Sequence, residues 1–299
     1  MRRLLSLLAV SSLLVISLPA HSALPPAPVE HGMVFGGQWS QAGNATTSLT
    51  NLSDLPAVVE VFTATWCENC VDVEHGLDDV QAEGALQQYH IHRSIGESQD
   101  PFGTEALDSR WKARYGATSI TGGQQPPGVV FNGTMMKEGS VTDEASLYVE
   151  FYNMANQSLG LGDGSTSFSW TPSGAQSGAL TWALDIDQAH LENATLNVTA
   201  WIVETGAVFE EGTNGLGTYP HILREIIPLG DSLQGSATIN LPEAFDDDDL
   251  EVHLIYEVMP IVEDDEEVVA PKKSEDTPSL SFVATTTALL MAAFSRRND

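Results

Sequence analysis

Cysteine is almost absent from this chain: its 299 residues contain two, Cys67 and Cys70. A scaffold held by several disulfides is therefore excluded, and a chain of this length can bury a core without one. Basic residues are nearly as scarce. Twelve Lys and Arg stand against 41 Asp and Glu, a net charge of −29. Such a surface repels phosphate backbones and argues against nucleic acid as a partner. The sequence has no Gly-x-Ser-x-Gly, Walker loop, dinucleotide fingerprint or His-Glu-x-x-His, so the chemistries those motifs support have no footing here. No cofactor and no resident metal is expected, and no repeat of 20–50 residues is visible.

The two cysteines close the stretch from Val61 to Cys70, directly after a hydrophobic run. They can pair with each other, share a metal, or exchange with another molecule's thiol. As a staple, a ring this small contributes only about 2 kcal/mol. At a helix start the backbone amides stabilise a thiolate, which suits redox exchange. A structural disulfide and a metal site stay open at this point. His90 and His92, two apart on one strand face, could complete a Cys2His2 zinc set. Histidines at that spacing are more often on the surface, as is His75 on its helix. Trp66 beside Cys67 serves as a rim for substrate or as packing.

Both ends of the chain carry apolar segments. Arg2 and Arg3, then Leu4 to Leu18, then Pro19 to Ser22 read as a signal peptide over 1–22. Residues 277–295 carry no charge and precede Arg296 and Arg297, so 279–299 is expected to be a transmembrane or sorting tail. The tail resembles C-terminal sorting segments of archaeal and bacterial surface proteins. Residues 261–278, with Glu263 to Glu267 in their midst, form an acidic linker. These segments predict an exported protein, at a cell surface or in a periplasm-like space, anchored in a membrane through its C-terminus. Sequons at Asn44, Asn51, Asn132, Asn156, Asn193 and Asn197 fit a glycosylated exterior. The Asp246–Asp249 run lacks the glycine punctuation of a calcium loop.

Residues 23–56 are polar and rich in Gly and Ser, an N-terminal extension with one strand near Met33–Phe35. Ala57 to Thr63 reads as a strand buried on both faces. Val73, Leu77 and Val80 then take helical spacing. A strand follows over Tyr89–Ile95, and a helix capped by Thr104 carries Leu107, Trp111 and Tyr115. A loop containing Pro126 and Pro127 leads to the strand Val129–Phe131 and the turn Asn132-Gly133. A helix from Asp143 to about Ala155 ends the region. Beyond Gly164 the period becomes two, as in Leu180, Trp182, Leu184 and Ile186, which predicts an antiparallel β-sandwich over 165–260.

Strand, Trp66-Cys67-x-x-Cys70, helix, and then Pro127 ahead of Phe131-Asn132-Gly133 together resemble the thioredoxin-like superfamily, from about Val58 to Ala155. Glu60 to Thr63, Asp100-Pro101-Phe102, Arg110, Tyr115 and His221-Ile222-Leu223-Arg224 resemble a group of secreted thioredoxin-like proteins with an added β-domain. The resemblance implies an α/β thioredoxin-like domain over 57–160, followed by an all-β sandwich domain. It further implies that Cys67 is the exposed nucleophile and Cys70 the buried resolving thiol. Pro127 would be the cis-proline whose segment, with Pro126 and Trp66, receives substrate. Val61 stands where thioredoxin buries an aspartate, and Glu68-Asn69 replaces Gly-Pro inside the motif. An anionic side chain beside the nucleophile raises thiol pKa, which favours a reductant or isomerase poise. The implied function is a surface-anchored thiol–disulfide oxidoreductase acting on exported proteins with thiols or disulfides, reset by an unidentified redox partner. The alternative is a non-catalytic surface binding module on a thioredoxin-like scaffold.

Overall fold

A computed structural model describes residues 23–261, which form one compact unit ending at Ile261. The expected signal peptide, acidic linker beyond Ile261 and C-terminal tail fall outside the described residues. Among the described residues no helix is long and apolar enough to cross a membrane.

The chain begins with β1 (Ala27–Pro28), β2 (Met33–Gln41) and β3 (Thr46–Asn51), then β4 (Ala57–Thr63), α1 (Glu68–Ala82), β5 (Leu86–His92) and α2 (Glu105–Tyr115). It continues through β6 (Gly128–Phe131), β7 (Met135–Glu138) and α3 (Leu147–Ala155). Six further strands complete it: β8 (Ser165–Gly174), β9 (Ser177–Asp185), β10 (Ala194–Val208), β11 (Thr218–Gly230), β12 (Gln234–Asn240) and β13 (Leu250–Pro260). Local chemistry sets the boundaries. The Thr104 and Ser146 hydroxyls accept the Leu107 and Val149 amides to cap α2 and α3. Asn132 and Gly133, both at positive φ, make the β6–β7 turn.

Two sheets result. One has nine strands in the order β1-β7-β6-β4-β5-β11-β10-β13-β2, the other four in the order β12-β9-β8-β3. The helices α1 and α3 bury Val73, Leu77, Val80, Phe151 and Met154 against Val59, Val61, Val129 and Phe131. Phe35, Ala200, Ile202, Leu254 and Tyr256 meet Phe168, Trp170, Leu180 and Trp182 from the smaller sheet. A third cluster lies under α2, where Leu107, Trp111 and Tyr115 join Phe62, Tyr89 and Ile91.

That third cluster overturns the expected division into a thioredoxin-like α/β domain and a separate β-sandwich. It runs on without a break to Trp201, Val203, Leu223 and Ile255 of β10, β11 and β13. The two regions also share one sheet, because β11 pairs parallel with β5 at Ile222 and His90. Unpaired, β5 would present an open edge; β11 covers it. Arg110 of α2 then ties the halves by bonding both Glu60 of β4 and Glu257 of β13. Nor is 23–56 an extension. Its strand β2 closes the large sheet against β13, and β3 closes the small one against β8. The sequence pattern shows only the strand near Met33–Phe35 because Thr47 and Asn51 face solvent and Gly36-Gly37 interrupt the alternation. Those glycines form a bulge, where a Cβ on Gly36 would lie 2.4 Å from the Leu254 carbonyl oxygen.

Candidate functional site

Cys67 occupies the N-cap position of α1 and makes no side-chain cap there. Of the three α-helices described, α1 alone lacks such a cap, so its first amides stay available to the nearby sulfurs. The Cys67 amide bonds the Ala64 carbonyl and the Cys70 amide bonds the Cys67 carbonyl, at 3.0 and 3.1 Å. The sulfurs are joined to each other, with the Cα atoms 5.3 Å apart. Cys70 is fully enclosed, and Cys67 keeps 5% of its surface. The expectation of an exposed nucleophile is thus corrected: Ala64, Trp66 and the two cysteines pack together as a small cluster.

Three sets of contacts hold the preceding loop in place. The Thr65 amide donates to Asp100 Oδ2 at 2.8 Å. The Thr65 carbonyl accepts the amides of Thr213 and Asn214 at 3.0 and 3.1 Å, from the β10–β11 connection. The Trp66 indole donates to Glu97, and the Arg93 guanidinium sits 5.8 Å above its ring. Burial pushes the Glu97 carboxyl up, but the amides of Gln99 and Ser98 and the Trp66 indole outweigh it and hold its pKa low. Trp66 is therefore fixed, half-buried, beside Cys67.

Beneath the disulfide the interior is polar. Glu74 follows Cys70 by four residues on α1, so both lie on the helix face that meets the sheet. Glu74 is 4% exposed and accepts the Thr63 hydroxyl at 2.6 Å. Burial raises its pKa above the ordinary carboxylate range. His92 pairs in register with Thr63 and bonds Asp100 Oδ2 through Nδ1 at 2.8 Å, while its buried Nε2 has no partner. Phe102 and Tyr219 lie edge-on to its ring at 5.0 and 6.0 Å.

Pro126 and Pro127 enter β6, and the peptide bond between them is cis. Gly128, next in the chain, pairs with Phe62 of β4, which places the diproline at the sheet end from which the Cys67 loop departs. Neither proline has an amide proton. The Pro127 carbonyl already accepts the Gly139 amide at 3.0 Å. Among the described residues the Pro126 carbonyl is unbonded, so it is what this segment can offer a visiting backbone.

His90 and His92 are not surface residues: they are 1% and 2% exposed. Nor do they join the cysteines, since His90 bonds Gln88 and meets His221 edge-on while His92 bonds Asp100. Among the described residues no group of three or more His, Cys, Asp and Glu is arranged to hold a metal. Asp246 and Asp249 accept the Val208 and Gly206 amides at 2.7 and 2.9 Å, which ties down a loop. A cleft of about 560 Å3 lined by Leu55, Gly84, Asn132, Gln157 and Leu159 contains none of the sequence-derived site residues. Sequence reasoning missed Thr63, Glu74, Asp100 and Asn214 as parts of the site, and named His92 only as a zinc ligand. The Cys70–Glu74 spacing was the one available signal, a carboxylate one helical turn below a thiol.

The residues define a buried disulfide at a helix start, backed by titratable groups. No protein-family model matches the chain, and no curated protein matches it. Among solved structures it is similar to HBP35 of Porphyromonas gingivalis at 17% identity and a TM-score of 0.40, covering 69% of this chain and 64% of that one. The chain thus spans less than two thirds of that protein's length. It is also similar to a structural-genomics protein of Agrobacterium tumefaciens, at 14% identity and a TM-score of 0.41, over 69% of this chain and 95% of the other. Scores this low carry no argument about fold or function.

Proposed function

We propose that the chain is a thiol–disulfide oxidoreductase whose working pair is Cys67 and Cys70. The observation that carries this is their position: bonded to each other at an uncapped helix start, above a buried carboxyl and beside the diproline. The motif's resemblance to thioredoxin-like proteins supports the chemistry, though the architecture differs.

In the proposed cycle the reduced Cys67 thiolate attacks one sulfur of a substrate disulfide. A mixed disulfide forms, and the substrate's other sulfur leaves as a thiolate and takes a proton. Cys70 then gives its proton to Glu74 and attacks Cys67 Sγ. The substrate's second thiol is released and the Cys67–Cys70 bond closes. Two electrons pass to the substrate, and a dithiol reductant of the same compartment restores the pair. Cys67 is the attacking sulfur because Cys70 has no exposed surface. The Pro126 carbonyl accepts a substrate amide. Substrates are exported proteins bearing disulfides, and the acidic linker and apolar tail tether the enzyme at the cell surface.

The 5% exposure of Cys67 favours a second reading, in which the pair is a fixed staple and the chain a non-catalytic surface module. Incubating the reduced full chain with a model protein disulfide separates the two. Substrate reduction that is lost in Cys67→Ser supports exchange; no turnover by the reduced wild type leaves the staple.

A further inference from the structure

Four strands lie at sheet edges, and three of them are short, bulged or tied by side chains to a strand of the other sheet. β1 has two residues and ends in Pro28. β2 is broken by the Gly36-Gly37 bulge. β3 is held to β2, where Gln38 Nε2 donates to the hydroxyls of Ser48 and Thr50 at 2.9 and 3.1 Å. The fourth, β12, has none of these protections. Its sequence, Gln234-Gly235-Ser236-Ala237-Thr238-Ile239-Asn240, has no charge and no proline, and it pairs with β9 at every residue without a register shift. Among the described residues no backbone group outside β9 bonds to it. Soluble proteins rarely leave a regular edge in that state.

The middle of the face beside this edge is also uncharged; Asp185, exposed at the end of β9, is the carboxylate on it. Thr47, Ser169, Thr181 and Ser236 line up across all four strands, linked by hydroxyl contacts of 3.0 and 3.1 Å. The adjacent rows are Leu49, Ser167, Ala183 and Gln234 on one side, and Thr171, Ala179 and Thr238 on the other. In a chain of net charge −29, two copies repel each other over most of their surfaces. Along β12 they can approach without opposing carboxylates.

We propose that β12 pairs antiparallel with β12 of a second copy of this chain, joining the two four-stranded sheets into one of eight about a two-fold axis. Centred on Ala237, the pairing sets Ser236 of one copy opposite Thr238 of the other, and Gln234 opposite Asn240. Hydroxyl meets hydroxyl and amide meets amide. Asp231 and Glu243 bracket the strand, so the association strengthens as salt screens them.

Sedimentation of the full chain over a range of concentrations, at low and high salt, tests this. A dimer whose fraction rises with both is expected. The double variant Ser236→Glu/Thr238→Glu places like charges across the axis on an exposed face; it should sediment as a monomer with an unchanged circular dichroism spectrum. Thr47→Glu, on the far strand of the same face, should leave the dimer intact. A wild type that stays monomeric at high salt overturns the proposal, as does a double variant that still dimerises. Monomers whose β12 amides resist hydrogen exchange would show that another segment of the same chain covers the edge, which also overturns it.

Discussion

Two interiors of the molecule share the same large sheet and differ in what they contain. Between the two sheets Phe168, Trp170, Leu180, Trp182, Ile202 and Leu254 pack around one small hydrogen-bonded set, Gln38, Thr166 and the Tyr256 hydroxyl. Between the first half of α1 and the ends of β4 and β5, the buried residues include Thr63, Glu74, His90 and His92, with Asp100 alongside. An apolar interior contributes stability in proportion to the area it removes from water. Buried ionisable groups cost desolvation energy and are retained where they do something else. Glu74, one helical turn from Cys70, is the group that the proposed chemistry would use, whereas Gln38, Thr166 and Tyr256 between the sheets bond one another, as suits support.

The sharpest way to break this contrast is to remove one sulfur at a time. With Cys70→Ser the mixed disulfide between Cys67 and a substrate should accumulate, detectable as a covalent adduct that dithiothreitol releases. Cys67→Ser should form none. Adduct in neither variant would make the polar interior structural and erase the distinction between the two regions.

Next in size are truncations in the apolar layers. Phe168→Ala, between the sheets, should cost about 3–5 kcal/mol, and Leu77→Ala, under α1, about 2–5 kcal/mol. Because the core under α2 runs through both halves, each variant should shift one common unfolding transition, followed by denaturant. Two separable transitions would restore two independent domains. Arg110→Ala sharpens the same point. It takes the nearest cation from the buried Glu60 carboxylate, whose pKa desolvation raises but Arg110 and Arg114 hold low, while Glu257 keeps Arg114 at 3.0 Å. The expected loss is about 3–5 kcal/mol, largest at neutral pH where the Glu60 carboxylate is charged.

How much of this was legible in the sequence follows from the range of the interactions. The Cys67–Cys70 spacing, the strand before it, the apolar stripe of α1, the Thr104 cap of α2 and the alternation of β9 are local patterns, and each element is there; the helix expected from Asp143 starts instead at Leu147, behind Ser146. The union of the halves was not legible, because it rests on Ile222 meeting His90 and on Arg110 reaching Glu257, contacts between residues more than a hundred positions apart. The burial of His90 and His92 was hidden for the same reason, since the groups that enclose them come from α1, the Asp100 segment and β11. The β10–β11 loop gave no sign in its own sequence that its amides would grip Thr65.

The smallest predicted effect isolates Glu74. Its folded pKa is raised by burial, so the folded chain holds a proton that the unfolded chain releases. The resulting stabilisation is present at acid pH. It is lost as pH climbs from the ordinary carboxylate range through the raised value. Glu74→Gln keeps an oxygen to accept the Thr63 hydroxyl and removes the titration. The difference in stability between variant and wild type should therefore change across that window in favour of the variant as pH rises, and become flat beyond it. The same substitution should slow closure of the Cys67–Cys70 bond, because Cys70 loses its proton acceptor, while adduct formation at Cys67 proceeds. A variant with an unaltered stability difference across pH would show that Glu74 titrates normally, and the polar interior beneath the disulfide would then lack the acid–base group that sets it apart from the core between the sheets.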